Sequence, residues 1–205
     1  MSKRDQILDA AIELFNRYGI ANVRSRDISD YLGISNGNLT YHFPKMDDLM
    51  SAVIDRLQME GGKIIVRIEE DSVSLANYER SLRSMVEVQR RFPFFYKDFL
   101  ELIRRFPEVG GRYKDFSGKR WVLGRKMIQD LFTHGELHAE PAPGTYDRLQ
   151  TSMQTTLVFW LTMEELFKGS EAPNPSPVES IMDMLLVYAT DGARVRYHDH
   201  VKSVN

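Results

Sequence analysis

Apolar side chains recur along most of this chain at spacings of three and four residues, which is the period of an α-helix. The first stripe ends at Gly19 and comprises Ile7, Leu8, Ala11, Ile12, Phe15 and Tyr18. The same spacing predicts further helices over 25–32, about 46–70, 75–92, 147–168 and 177–198. It also predicts a helix of about eight residues that begins after Ser35, and a helix that ends at Thr133. No segment alternates convincingly with the period of two that strands require. The pattern therefore predicts an all-α fold.

Residues typical of helix starts support several of these boundaries. Ser2 and Asp5 have the spacing of a capping box, in which two side chains satisfy each other's backbone N–H groups. Ser176, Pro177 and Glu179 combine an N-cap, a first-turn proline and a matching glutamate, so they predict a strong start for the last helix.

Glycine and proline mark the interruptions between helices. Gly61-Gly62 predicts a bend or a break in the fourth helix, and 138–144 and 169–177 are predicted loops. From this punctuation we expect a three-helix domain over 1–50, a connecting fourth helix over about 46–70, and a larger helical bundle over 71–205.

The stretch 23–49 predicts two short helices joined by a tight turn. Gly33 follows the first helix, where a left-handed backbone favours glycine, and Ser35 begins the second as its N-cap. Pro44 ends that helix because the residue before proline avoids the helical region. This is the layout of a helix-turn-helix, which inserts its second helix into the DNA major groove.

The side chains of the second short helix suit contact with DNA. Leu39 and Phe43 lie four residues apart and should anchor the helix from behind. The candidate DNA-contacting residues are Arg24, Ser25, Arg26, Ser35, Asn36, Gly37, Asn38, Thr40, Tyr41, His42 and Lys45. Asparagine can pair with adenine, threonine can meet a base edge, and arginine and helix N-termini can bind phosphate. For Tyr41 and His42, packing against the neighbouring helix is an equal alternative.

Charge adds little support for a nucleic-acid partner. The net charge is −2, and residues 1–50 carry six basic and seven acidic side chains. From Ile20 to Lys45 there are three basic and two acidic side chains. We therefore expect modest DNA affinity that depends strongly on dimerisation.

Residues 19–49 resemble the tetracycline-repressor-like (TetR) family of bacterial transcriptional regulators. The resemblance lies in Ile28-Ser29, then Gly33-Ile34-Ser35-Asn36-Gly37-Asn38-Leu39-Thr40-Tyr41-His42-Phe43, then Lys45-Met46-Asp47-Asp48-Leu49. The chain departs from the family's pattern at Val23-Arg24, Thr40 and Met46. The resemblance implies a regulator, most often a repressor, that binds a palindromic operator as a homodimer and responds to a small molecule.

The region after residue 90 is rich in aromatic side chains and methionine, which pack either in an ordinary helical core or around an effector pocket. The resemblance implies such a pocket. Its candidate lining residues are Phe95, Phe99, Trp121, Met127, Met153, Phe159 and Trp160.

Two long apolar stripes, on 147–168 and 177–198, predict a dimer interface. Two adjacent antiparallel helices from each chain can form a four-helix bundle across a two-fold axis. The candidate interface residues are Leu157, Leu161, Ile181, Leu185 and Tyr188.

Other function classes have weaker support. There is no cysteine, and the chain has neither an apolar signal-peptide run nor a membrane-span-like segment, so we expect a cytoplasmic protein without membrane association. His134 and His138 have metal-ligand spacing, but Gly135 and a proline-rich loop weaken that possibility. We expect no enzyme activity, no cofactor and no metal. A helical protein-interaction module with a degenerate DNA-contacting surface remains the alternative.

Overall fold

The computed structural model describes residues 1–70, 72–171 and 175–204, with side chains of 65–70 and 204 excepted. These residues form eleven α-helices and no strand. The helices are α1 Lys3–Tyr18, α2 Ser25–Tyr31, α3 Asn36–His42, α4 Met46–Glu70, α5 Leu75–Arg91, α6 Pro93–Lys97, α7 Phe99–Arg105, α8 Pro107–Thr133, α9 Thr145–Leu166, α10 Pro177–Leu186 and α11 Asp191–Val204. The predicted all-α class is confirmed.

The helices group into two compact units. The first contains Met1–Gly62 with Val88–Lys114, and the second contains Lys63–Glu87 with Asp115–Asn205. Residues 88–114 thus pack with the N-terminal helices, although they lie far along the chain. The division into functional domains at 1–50 and 71–205 stays a prediction, because a compact unit need not be an independent domain.

The apolar stripe of α1 forms the centre of the first unit. The stripe residues Ile7, Leu8, Ala11 and Phe15 are buried, whereas Tyr18 at its end is half exposed. The capping box between Ser2 and Asp5 is present, and it starts the helix where the sequence predicts. The stripe packs against α2 and α6, and burial of its apolar side chains stabilises this group of helices.

Helix α4 is continuous through Gly61-Gly62, so of the predicted bend or break the break is wrong, and a bend there stays a prediction. An ideal Cβ on Gly62 would meet nothing within 4 Å, so no close approach requires glycine there. Two glycines weaken a helix but do not end it when apolar residues on both sides keep their packing.

The predicted last helix over 177–198 is wrong as a single element. It is divided into α10 and α11, because the backbone at 187–190 pairs with the segment after α8. His138 N–H donates to the carbonyl oxygen of Tyr188 at 2.9 Å, and Thr190 N–H donates to that of Glu136 at 3.0 Å. Leu137 and Ala189 form an isolated bridge. These bonds replace the intrahelical ones, and α11 restarts at Asp191.

The second unit packs α5 and the last part of α8 against α9, α10 and α11. Its core contains Leu75, Tyr78, Leu82, Ile128, Leu131, Leu137, Met153, Leu157, Val178, Ile181, Met182, Leu185, Ala189, Ala193 and Tyr197. Of the predicted loop 169–177, residues 172–174 lie outside the described residues.

Gly33 should be sensitive to substitution, because its φ is +63°. We expect Gly33→Ala to lower the free energy of unfolding by about 1 kcal/mol, since L-residues are strained in this region. Gly62→Ala is the matched control, and in a helix interior it should raise stability by up to about 1 kcal/mol. Urea unfolding of both variants measures the two changes, and equal shifts would contradict the expectation.

Candidate DNA-binding interface

The turn between α2 and α3 is fixed by backbone hydrogen bonds. Gly33 N–H donates to the carbonyl oxygen of Asp30 at 3.1 Å, and Ile34 N–H donates to that of Ser29 at 3.0 Å. The hydroxyl of Ser35 accepts from Asn38 N–H at 3.1 Å and caps α3 as predicted. These backbone bonds and the cap therefore set the direction of α3 relative to α2.

Two apolar anchors hold α3 from behind. Leu39 and Phe43 are 1% and 2% exposed, and the Arg4 guanidinium lies 4.9 Å from the centre of the Phe43 ring. The opposite face of the helix is polar and exposed. Asn36, Gly37, Asn38 and Tyr41 lie on it, and Tyr41 is 83% exposed.

The hydroxyl groups near α3 are partly committed to the protein. The Thr40 side chain is half-buried, and its hydroxyl donates to the carbonyl oxygen of Gly37 at 3.1 Å. Its lone pairs can still accept a hydrogen bond. His42 is half-buried with its ring 5.2 Å from that of Tyr41. The amides of Asn36 and Asn38 and the hydroxyl of Tyr41 therefore belong to the exposed side chains of α3 that can both donate and accept hydrogen bonds.

Basic side chains flank this polar face. Arg24, Arg26 and Lys45 are exposed, and Ser25 is half-buried at the start of α2. Arg26 lies 3.8 Å from Asp30, but both side chains are so exposed that this ion pair is weak and can be exchanged for a phosphate. Backbone N–H groups of Arg24 and Lys45 are capped by Asp27 and Asp48 respectively.

A group of contacts from residues 91–105 holds the turn after α1. The Asp98 carboxylate accepts from Ile20 N–H at 3.0 Å, and the Arg105 guanidinium donates to the carbonyl oxygen of Ile20 at 2.7 Å. Asn16 donates to the carbonyl oxygen of Arg91 at 3.0 Å. Sequence reasoning missed these residues because their partners are 75–85 positions away and no local motif signals them.

Loss of the Asp98 carboxylate should loosen this turn. We expect Asp98→Ala to lower the free energy of unfolding by about 2 kcal/mol, since it removes a charged acceptor and leaves the Ile20 amide unpaired. Faster hydrogen exchange at Ile20, measured by NMR, would locate the effect. Asp115→Ala, an exposed carboxylate on α8, is the control. Unchanged exchange at Ile20 would contradict this role for Asp98.

The candidate pocket residues are divided between the two units. Phe95 and Phe99 belong to the first unit, where each ring lies within about 5 Å of Tyr113, at 5.1 and 4.7 Å between centres. The other five belong to the second unit: Trp121, Met127, Met153, Phe159 and Trp160. Met153 is in the core, and Phe159 is 45% exposed. The effector-pocket assignment stays a prediction.

Four predicted dimer residues face the interior of their own chain. Leu157, Leu161, Ile181 and Leu185 are each at most 5% exposed, so their side chains already have partners. Tyr188 is half-buried, with its ring 5.6 Å from that of Tyr146. The assignment of the four leucine and isoleucine side chains to a dimer surface is therefore corrected: they are core residues of one chain.

Two further features bear on other function classes. Among the described residues, no helix is long and apolar enough to span a bilayer. The described part of the chain also brings together no group of three or more His, Asp or Glu side chains suited to a metal ion.

Comparison with known proteins identifies the family. Residues 7–53 match the model described as bacterial regulatory proteins, tetR family, and residues 56–197 match TetR, bacterial transcriptional repressor. The protein belongs to the TetR family of bacterial transcriptional regulators. Members of this family are transcriptional regulators rather than enzymes, and the family predicted from the sequence is confirmed.

A curated relative is the HTH-type transcriptional regulator RutR. The chain is 30% identical over 137 residues to RutR of Escherichia coli O157:H7, covering 62% of this chain and 65% of that protein. Against RutR of strain K12 the identity is 30% over 92 residues, covering 45% and 43%. The chain therefore aligns with less than two thirds of the length of these relatives.

Solved structures share the fold. A TetR-family transcriptional regulator from Marinobacter aquaeolei VT8 has a TM-score of 0.88 at 21% identity, covering 99% of this chain and 98% of that one. A transcriptional regulator from Saccharomonospora viridis, solved with choline, has a TM-score of 0.69 at 20% identity, covering 90% and 93%. A gamma-butyrolactone receptor has a TM-score of 0.70 at 17% identity, covering 95% and 92%.

Proposed function

We propose that this TetR-family regulator acts in the cytoplasm as a ligand-responsive repressor that binds a palindromic operator as a homodimer. The observation that carries the proposal is the geometry of α3. Its apolar side chains, Leu39 and Phe43, are buried, while the amides of Asn36 and Asn38 face outward. Exposed amides on a short, anchored helix are suited to base edges in a major groove.

Dimerisation is needed because one copy offers few contacts. Arg24, Arg26 and Lys45 are the exposed cations beside α3, and Asp30 competes for one of them. Three phosphate contacts give a weak, salt-sensitive complex. Two copies whose α3 helices lie about 34 Å apart would bind two half-sites in successive major grooves and gain affinity by avidity.

The exposed apolar side chains of α9 provide the surface for this dimer. Phe159, Met163 and Leu166 are 45%, 41% and 69% exposed. Their spacings of four and three residues place them on one face of α9. This face of α9 replaces the buried residues that sequence reasoning selected.

A ligand response is supported by two solved structures that share the fold. One fold neighbour was solved with choline and another is a gamma-butyrolactone receptor, so this fold accommodates small molecules. In this chain, an effector would change the separation or orientation of the two α3 helices and so lower operator affinity.

Footprinting of the purified protein on genomic fragments tests the proposal. We expect protection of an inverted repeat whose half-sites are centred about ten base pairs, or a multiple of one DNA turn, apart. Promoter fusions carrying that repeat should be expressed more strongly when the regulator gene is deleted. Protection of a single half-site would contradict binding as a dimer. Reduced expression after deletion of the regulator gene would contradict a repressor role.

A further inference from the structure

Two glutamine side chains on α9 have buried carbonyl oxygens that face α8 within the second unit. Gln150 is 6% exposed and Gln154 is half-buried, and Oε1 of each is buried without a hydrogen-bond donor among the residues that the structure describes. Residues four apart on a helix lie on one face and about 6 Å apart along its axis. The two oxygens thus form a pair of acceptors one helical turn apart.

Contacts between α8 and α9 orient this pair. Gln154 Nε2 donates to the carbonyl oxygen of Ser117 at 3.4 Å, so the amide nitrogen is engaged and the oxygen is directed elsewhere. One turn away, Trp121 Nε1 donates to the Thr151 hydroxyl at 3.4 Å. Trp121 follows Ser117 by four residues and so lies on the same face of α8, and such a combination of polar and aromatic groups is typical of small-molecule sites.

Gly124 makes room for the Gln150 amide. A Cβ at position 124 would lie 2.1 Å from Gln150 Nε2 and 2.8 Å from its Oε1, which is far inside van der Waals contact. The amide thus occupies space that any other residue's side chain would fill. Gly118, six residues earlier on α8, would meet nothing within 4 Å if it carried a Cβ.

Gly124 and the two unpaired glutamine oxygens each lower the free energy of unfolding. Glycine weakens a helix interior, and a buried acceptor without a donor loses its hydration without replacement. Leucine at positions 150 and 154 would remove the two unpaired acceptors and so avoid the cost of burying them. Buried polar groups that the fold leaves unpaired are expected at functional sites.

We propose that Gln150 and Gln154 form the polar end of the effector site, and that the effector is a small neutral molecule presenting two N–H or O–H donors. This inference rests on the proposed ligand response. Amides, ureas and cyclic imides have this chemistry. A carboxylate or phosphate would meet two carbonyl oxygens and be repelled. A cation would lack a counter-charge from Asp147, one turn before Gln150, because that carboxylate is already paired with Arg125 at 2.7 Å.

The direct test compares two probes with one carbon skeleton, succinamide and succinate. Succinamide carries an N–H donor group at each end, whereas succinate carries a carboxylate. Calorimetric titration of the full chain, without DNA, should give millimolar or tighter binding of succinamide and no binding of succinate. Replacing Gln150 and Gln154 together by leucine should weaken succinamide binding at least tenfold, because both acceptors are lost.

Unfolding of the ligand-free variants supplies a second measurement. The double leucine variant should have a Tm equal to or above that of the parent, because two unpaired acceptors are removed. Gly118→Ala should raise Tm and leave succinamide binding unchanged. Gly124→Ala should displace the Gln150 amide and weaken succinamide binding, although both alanines improve helix propensity equally.

Absence of succinamide binding, equal binding of succinate, or unchanged binding in the double leucine variant would each overturn the inference. So would a loss of several degrees in Tm, which would indicate a structural role for the amides. These measurements do not involve DNA. A failed operator footprint beside specific succinamide binding would therefore contradict the proposed repressor function, while the site itself would stand.

Discussion

Replacing Asn36, Asn38 and Thr40 together by alanine should lower operator affinity by about 10³-fold and leave the fold intact. Each side chain is positioned to contribute about 1–3 kcal/mol to base discrimination, and three losses of about 1.4 kcal/mol each, near the lower end, already give this factor. The anchors Leu39 and Phe43 are unaffected, and alanine favours the helix. Mobility-shift titration on the footprinted operator measures the affinity, and circular dichroism measures the fold.

The matched control removes the same kinds of group elsewhere. Gln129 and Thr133 are an exposed amide and an exposed hydroxyl on α8. Their double alanine variant should bind the operator as the parent does. Retained affinity in the α3 variant would contradict a DNA-contacting role for this surface and favour the helical protein-interaction module instead. Contacts to phosphate can be tested separately from contacts to bases. Arg24→Ala should reduce the slope of log operator affinity against log salt concentration by about one unit.

Local sequence signals predicted α3 and its surroundings well. The signals for α3 lie within ten residues of each other: Gly33 in the turn, the cap at Ser35, and the apolar pair Leu39 and Phe43. The local sequence is therefore sufficient to predict the helix and its buried side. The start at Pro177 is confirmed for the same reason, because its cap lies in the preceding residue. Short-range hydrogen bonds and helical periodicity need no knowledge of the tertiary fold.

Contacts between distant segments could not be predicted in this way. The end of α10 depends on backbone bonds from Glu136 and His138, about fifty residues earlier. The turn at Ile20 depends on Asp98 and Arg105. The period of the apolar residues identifies regions that can be helical. It does not identify a position where backbone pairing with a distant segment interrupts a helix.

Helix α9 shows a second limit, because it is apolar on more than one side. Leu157 and Leu161 form one stripe, while Phe159 and Met163 form another. Hydrophobicity alone cannot assign one stripe to the core and the other to solvent. Only the packing of α9 against α10 places the leucines inside and leaves the aromatic and methionine side chains exposed.

Charges placed on the exposed stripe of α9 should prevent dimerisation. Replacing Phe159 and Met163 together by glutamate should convert the protein to a monomer, because two charges in each copy would be buried in an apolar interface and would repel their counterparts. Operator affinity should then fall by about 10²–10⁴-fold, the factor that avidity provides when two half-sites are bound together. Sedimentation equilibrium measures the mass, and mobility shift measures the affinity.

Stability distinguishes this interface from the core. Because Phe159 and Met163 are 45% and 41% exposed in one chain, the double variant should remain folded, whereas a glutamate at the fully buried Leu185 should unfold the second unit. Val122, 63% exposed on α8, is the matched control, and its glutamate variant should stay dimeric and bind the operator. A dimer that persists in the Phe159 and Met163 variant would exclude this face of α9 as the subunit contact.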